Sequence, residues 1–555
     1  MNALTLTAPT AVLRRGVPVP GRLADPDHGS HGPEGSDGVR PGAGGRLPTE
    51  ARHRAPAGQD RAPLLEAVRR ESRSSLTRLH CPGHQGGSRA SDDLTALIGP
   101  SALAADVWLE TGQHDRVRRE AEELAAQAWG ARRAWMIGNG STGGNLAWLM
   151  GSLKEGEEVV VGRDAHISVL SGLVLSGARP VWVAPRVHPV LGLPLGVEAL
   201  DIHNTLLAHP RAKHLLVTSP GYASTCADLP EVLAVARRAQ VRTYVDQAWG
   251  AHLAFHPSLP ADALACGAEG AVVSLHKTGS ALSSGALLLA GHGLSDENLD
   301  RVDSTVRMTQ TTSPFMPLLA SVDAARRDLA VGGARAVEHA VERARRVSRR
   351  LMRVRGIGVL TPADLDLPAD RVDPLKVVVD VSGLSVTGWT VETSLRRMGV
   401  PPEGADAGRV YLVLPSTSRG GDGRITDQVM VDALVAGLER VARQAGRTRG
   451  RHRASHRPDR GPSAEAWRAA VVPDRQELTP RQAHRAPSRA VPLRAAVGEV
   501  AAEPVVPYPP GLPVLLPGEI VGEAAVEVLE AVRAAGGHLH GCADPTLRTL
   551  RVVQW

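Results

Sequence analysis

Between residues 130 and 290, short apolar runs alternate with helical stretches, and this alternation restricts the fold more than any other feature. The runs at 159–161, 181–183, 215–217, 244–245, 271–273 and 287–289 predict strands. Residues 229–240, with Leu229, Leu233 and Ala236 on one face, predict a helix between two of them. Strands and helices in this order predict an α/β fold, a mainly parallel sheet covered by helices, with function at strand ends and loops. Ahead of the sheet, Val117, Ala121, Leu124, Ala125 and Ala128 share a helical face that ends at Gly130. Behind it, an Arg-rich helix over 337–353 leads into a smaller α/β unit. That unit has strands near 376–381 and 410–414 and a closing helix over 427–445.

At 555 residues the chain exceeds one core. Residues 1–70, rich in Gly, Pro, Arg and Asp, predict a disordered tail. The large domain is then expected over 71–330, the small domain over 331–445, an Arg-rich linker over 446–475 and a C-terminal domain over 476–555. The linker carries Arg447, Arg449, Arg451, Arg453, Arg457 and Arg460. A nucleic-acid arm is one reading of it. An exposed linker is preferred, because aromatic residues are nearly absent and no recognition fold adjoins. No apolar run is long enough to cross a bilayer, and Arg14 and Arg15 follow the apolar start rather than precede it, the wrong order for a secretory signal. Cys81, Cys226, Cys266 and Cys542 lack paired spacing, so no metal site is expected and free thiols in the cytoplasm are.

The chemistry concentrates on Ala271-Val272-Val273-Ser274-Leu275-His276-Lys277-Thr278, an apolar run ending in a hydroxyl, an imidazole and an isolated lysine. Lysine is the common cation that can shed its proton, attack a carbonyl and form a Schiff base, so Lys277 is read as the carrier of pyridoxal phosphate. Four further stretches bear on that reading. Asn139-Gly140-Ser141-Thr142-Gly143-Gly144-Asn145 is either a structural turn or a phosphate cradle at a helix start. Asp246, at a strand end 31 positions before Lys277, is either an N-cap or the partner of a protonated pyridine nitrogen. His166 is either a solvated loop histidine or a ring stacked on a flat cofactor. Thr311, Thr312 and Ser313 form a hydroxyl-rich turn that caps a helix or reaches the phosphate of a second subunit.

Taken together, these stretches resemble the Orn/Lys/Arg decarboxylases of aspartate-aminotransferase fold type I, a group that includes biosynthetic arginine decarboxylases. The motifs concerned are His-x-Pro-Gly-His-x-x-Gly at 80–87, the loop at 140–142, His166, the segment at 246–252 and Ser-x-His-Lys-Thr at 274–278. Thr-Thr-Ser-Pro at 311–314, Asp-Pro-Leu-Lys at 373–376 and Tyr-Pro-Pro-Gly at 508–511 complete them. The resemblance runs from about residue 71 to 555, the linker apart. Ile167 stands where the family usually has Lys, Met316 where it often has Tyr, and Gly279, Ser283 and Ser284 depart from its Leu and Gln preference, which bears on substrate identity. No receiver-like domain of the large acid-induced enzymes is read, which points to the smaller biosynthetic type.

The resemblance implies a large domain with a seven-stranded, mainly parallel sheet, a smaller α/β domain and a C-terminal α+β domain. It implies catalytic roles for Lys277, His276, Asp246 and His166. Cofactor contacts are implied from Gly140, Ser141, Thr142, Ala248 and Ser274, and from Thr311, Thr312 and Ser313 across a homodimer or higher homo-oligomer. Substrate contacts are implied from His84, Trp249 and His252. The expected reaction converts arginine, lysine or ornithine to agmatine or a diamine plus carbon dioxide. An aminotransferase or aldolase-type lyase, and a non-catalytic protein of the same fold that binds an amine, are the alternatives. Neither a membrane nor a nucleic acid is an expected partner.

Overall fold

The computed structural model describes residues 57–74, 78–416, 423–451, 461–472 and 475–555. The central sheet has seven strands: β1 (Arg133–Ile137), β2 (Glu158–Gly162), β3 (Arg179–Val183), β4 (His214–Thr218), β5 (Arg242–Asp246), β6 (Gly270–Ser274) and β7 (Ala286–Ala290). Their order is β1-β7-β6-β5-β4-β2-β3, and all run parallel except β7, which is antiparallel to both neighbours. Helices cover both faces, so β6 and β7 are buried along their whole length and read as unbroken apolar runs. The sequence reading omitted β1, which opens on arginine and pairs with a strand some 150 positions later. Thr218 pairs with Asp246, and Asp246 with Val272, so the C-terminal ends of β4, β5 and β6 lie side by side.

The glycines after β1 serve packing as well as the loop. A Cβ on Gly144 would lie 2.6 Å from a Val272 methyl, and one on Gly151 would lie 3.0 Å from the Val302 Cα. Small residues therefore let the Gly140–Ser152 helix press against β6 on one side and the Asp296–Thr309 helix on another.

The Arg-rich helix expected over 337–353 is the second half of one 36-residue helix, Met316–Leu351. Gly332 and Gly333 look like a break in the sequence, since each costs about 1 kcal/mol against alanine in a helix. Here a Cβ on Gly333 would sit 3.2 Å from Phe255, so the small residue allows the helix to lie on that ring. The helix therefore runs through the boundary drawn at residue 330. Its last turns join the core of a second, antiparallel sheet: β8 (Gly358–Val359), β9 (Lys376–Asp380), β10 (Gly404–Ala405) and β11 (Arg409–Val413), ordered β10-β11-β9-β8.

The tail read as disordered is folded from residue 57. Helix Pro63–Ser74 buries Leu64, Ala67 and Val68 against Val117, Ala121 and Leu319. Beside a local bond from the Ala62 N–H to Glu66 at 3.0 Å, its start is held by tertiary bonds: the Leu64 N–H donates to Asp323, and Arg326 donates to the Gln59 carbonyl at 2.9 Å. A cap 259 positions away leaves no local signature. Residues 1–56 lie outside the described residues. In the span read as linker, the Gly423–Arg451 helix continues past Gly446, and helix Ala464–Val471 buries Trp467, Ala470 and Val471 in the C-terminal core. Arg453, Arg457 and Arg460 lie outside the described residues. The C-terminal α+β unit has two short antiparallel pairs, Ser488–Pro492 with Thr549–Val553 and Val506–Pro507 with Leu539–His540. Among the described residues no helix is long and apolar enough to cross a membrane, and no group of side chains has the make-up of a metal site.

Candidate active site

β6 ends at Ser274, and the single turn Leu275–Thr278 that follows places His276 and Lys277 on the floor of a cavity of about 320 Å³. Gly140, Ser141, Thr142, His166, Asp246, Ala248 and Trp249 line the same cavity. Burial lowers the proton affinity of Lys277, although Asp246 and Glu403 pull it the other way. A lysine so placed gives up its proton more readily than one in water, which is what a nucleophilic amine needs.

Asp246 is held by its surroundings. One carboxylate oxygen accepts from Asn145 Nδ2 at 2.9 Å and the other from the Ala248 N–H at 3.1 Å. Asn145 Nδ2 also donates to Ser168 Oγ at 2.8 Å, and its oxygen accepts from the Tyr244 hydroxyl at 2.8 Å. Ser168 Oγ, already accepting from Asn145, donates to His166 Nδ1 at 2.8 Å, and the Ser168 N–H donates to the same nitrogen. Two donors on Nδ1 leave the His166 proton on Nε2 and the ring neutral. Burial pushes its pKa down in the same direction. One network thus fixes both the carboxylate and the imidazole.

The start of the Gly140–Ser152 helix is left open. Asn139 makes no capping hydrogen bond from its side chain; its Oδ1 accepts instead from Gln310 Nε2 at 2.8 Å. The Gly140 N–H donates to the Ser284 carbonyl at 2.9 Å, so the N–H groups left at the positive end of the helix are those of Ser141 and Thr142, both residues of the cavity wall. Ser141 Oγ is 2.8 Å from Ser274 Oγ, which ties this loop to the end of β6. His276 Nδ1 donates to the Gly285 carbonyl at 3.1 Å, leaving Nε2 as its free nitrogen, and burial lowers its pKa.

Three parts of the chain meet over this floor. Tyr222 stands edge-on to Trp249, to Tyr411 of β11 and to Tyr508 of the C-terminal unit, with ring centres 6.0, 5.0 and 5.0 Å away. Tyr508, Pro510, Gly511 and Leu512 complete the cavity wall. They are held by a buried pair between Arg163, just after β2, and Glu519; Arg163 Nη2 lies 2.8 Å from Glu519 and 3.1 Å from the Val514 carbonyl. The chain has only four tyrosines, and all four, Tyr222, Tyr244, Tyr411 and Tyr508, belong to this cluster or to the network under Asp246.

Other residues named from the sequence are not brought to this cavity. His84 lies in the segment before the sheet, its Nε2 3.1 Å from Asp106 and its Nδ1 accepting from the Gly87 N–H. His252 is fully buried with Nε2 3.2 Å from Asp373, where it joins the first domain to the second. Burial alone would raise the Asp373 pKa, but His252 and the Leu375 N–H hold it below the usual range. Thr311, Thr312 and Ser313 are exposed, and the Ser313 N–H donates to Thr311 Oγ1.

Sequence reasoning missed Asp164, Thr218 and Tyr222 on the cavity wall and Glu403 near it, and quoted Lys376 in a motif without giving it a place at the site. The rarity of tyrosine was the one usable signal. Among the described residues, Asp164 Oδ1, Thr218 Oγ1 and the Tyr222 hydroxyl are buried and find no hydrogen-bond partner. Burial pushes the Asp164 carboxyl up to about 7, with Asp246 adding to the effect.

The model of the family described as Orn/Lys/Arg decarboxylase, major domain, matches residues 62–421, and that of its C-terminal domain matches 465–545. The arginine decarboxylase of Halalkalibacterium halodurans is 32% identical over 506 residues, covering 89% of this chain and 98% of the relative. That of Bacillus subtilis is 30% identical with the same coverage. Among solved structures, the Francisella novicida lysine decarboxylase LdcF has a TM-score of 0.73 at 18% identity, covering 89% of this chain and 81% of that one. The E. coli constitutive lysine decarboxylase has a TM-score of 0.71 at 21% identity, covering 89% and 82%. These two structures share the fold.

Proposed function

Because the chain belongs to the Orn/Lys/Arg decarboxylase family and is a decarboxylase of basic amino acids, we propose that it converts arginine to agmatine and carbon dioxide with pyridoxal phosphate on Lys277. The observation that carries the cofactor reading is a part-buried lysine just after β6 in a cavity that Asp246, His166, Ser141 and Thr142 also line. The names of the relatives at 30–32% identity support arginine.

The residues fit pyridoxal phosphate. The N–H groups and hydroxyls of Ser141 and Thr142 suit a phosphate, and Asp246 suits a pyridine N–H. The unpartnered oxygens of Asp164, Thr218 and Tyr222 are polar groups that a bound ligand satisfies. Pyridoxal phosphate, when bound, supplies the electron sink that takes up the pair left by departing carbon dioxide. The neutral His166 ring lies on the cavity wall, where it suits a flat aromatic face. Lys277 would hold the cofactor through its free amine with loss of water, and once the substrate's amine replaces it, its Nζ would carry a proton for return to the α-carbon. His276 Nε2 is the second nitrogen that can hold a proton there. The reaction consumes one proton, since a carboxylate leaves as neutral carbon dioxide. Tyr508, Trp249 and the Glu403 carboxylate suit the cationic end of the substrate. Burial raises the Glu403 pKa, while Lys376 and Lys277 lower it.

We further propose a homodimer in the cytoplasm. The exposed turn at 311–313 is flanked by exposed Met308 and Phe315, and all four cysteines are free thiols. In the direct test, purified protein is incubated with arginine, lysine and ornithine while carbon dioxide and amine are measured. Agmatine and carbon dioxide in equal amounts are expected, and borohydride should fix the cofactor to Lys277. Keto-acid release, or a label on another lysine, refutes the reading.

A further inference from the structure

Only four of the chain's 64 Lys and Arg residues are lysine: Lys154, Lys213, Lys277 and Lys376. Burial alone does not call for lysine in this chain, because Arg163, Arg326 and Arg343 are buried arginines. Yet the two lysines away from the surface share one indole. Lys277 Nζ is 4.4 Å and Lys376 Nζ 3.8 Å from the centre of a Trp249 ring, which places the two amines within about 8 Å of each other. They come from different domains. Lys277 follows β6, whereas Lys376 opens β9 and reaches back into the first domain.

Lys376 has three N–H donors and, among the described residues, one hydrogen bond, to the Gly221 carbonyl at 3.1 Å. The Tyr222 ring lies 5.0 Å away. The charged and titratable groups that face it are Asp373, itself held by His252, then Lys277, Glu403 and Cys226. Lys376 does not line the cavity, so it acts on the reacting atoms only through what it touches.

We propose that Lys376 is a positioning residue for Lys277: its ammonium steadies the Trp249 indole and, as a second cation on that ring, lowers the proton affinity of the Lys277 nitrogen. This rests on Lys277 as the cofactor-bearing lysine. Arginine at 376 would be bulkier and could never shed its charge, whereas lysine in this site can. Burial pushes Lys376 itself down to about 7, so the second charge is present below neutrality and lost above it.

The test is a pH titration of the visible absorbance of the holoenzyme in wild type, Lys376→Met and Lys376→Arg. The midpoint is expected to rise by about one pH unit in Lys376→Met, for like charges at this separation, and to stay at or below wild type in Lys376→Arg. An unchanged midpoint in Lys376→Met overturns the proposal, even if that variant loses stability or activity. Should the variants fail to load cofactor, wild type labelled with carbon-13 at lysine Cε decides. Replacing the surface residues Lys154 and Lys213 by arginine assigns the remaining signals. A Lys376 resonance that shifts across the pH range in which the visible absorbance titrates is expected, and one with no response there overturns the proposal. Borohydride fixation at Lys277 in wild type separates the two failures. No label there refutes the cofactor reading, whereas a label with an unchanged midpoint refutes only the role of Lys376.

Discussion

Asp246 is the residue on whose charge the proposed chemistry most depends. Asp246→Asn keeps a side chain that Asn145 can bond but supplies no negative charge, so kcat is expected to fall by about 10²–10³ at nearly unchanged stability. Carbon dioxide release and thermal melting check the two halves of that statement. Asp164 yields a pH effect of definite sign. Its folded value of about 7 lies above its ordinary 3.8, so the folded cofactor-free chain keeps a proton that the unfolded chain gives up between those values. The stability this contributes is complete below about pH 4 and is lost as pH rises through about 7. Asp164→Asn should therefore raise the melting temperature at pH 8 and not at pH 4; an equal change at both pH values speaks against it. The sequence made Lys277, Asp246 and His166 legible because each sits at or just past the end of a strand, where residue type alone suggests chemistry. It could not separate them from His252, which has the same local setting but faces Asp373 instead of the cavity.

At the scale of elements, local patterns disclosed six strands of the large sheet, whereas features defined by tertiary contact stayed hidden. The Pro63–Ser74 helix takes its cap from Asp323, and the Met316–Leu351 helix passes two glycines because Phe255 packs there. The Arg163–Glu519 pair belongs to the same class, joining the turn after β2 to the segment that carries Tyr508. Removing one partner leaves a buried charge alone, so Arg163→Met should cost about 3–5 kcal/mol in urea unfolding. Arg163→Met with Glu519→Leu should recover most of that loss. A single variant as stable as wild type means that the charge finds water or another partner.

The whole molecule raises the question of how many chains make one site. The hydroxyls at 311–313 lie at the surface of their own chain, beside Met308 and Phe315. If they serve a second subunit, mixing Lys277→Ala protein with a Thr311→Ala, Thr312→Ala, Ser313→Ala variant restores roughly a quarter of wild-type activity after subunit exchange. Half of the dimers are then mixed, and each of these holds one intact site. No recovery after verified exchange means that each chain builds its own site. The gathering of every tyrosine around that site gives the molecule an optical signature. Burial raises the phenol pKa of Tyr222, Tyr244 and Tyr411, and pushes Tyr508 up to about 12. In alkali the ultraviolet phenolate band should stay silent where free tyrosine ionises, near pH 10. When it does emerge, it should do so in one step, as the three parts of the chain separate and expose all four phenols to hydroxide together.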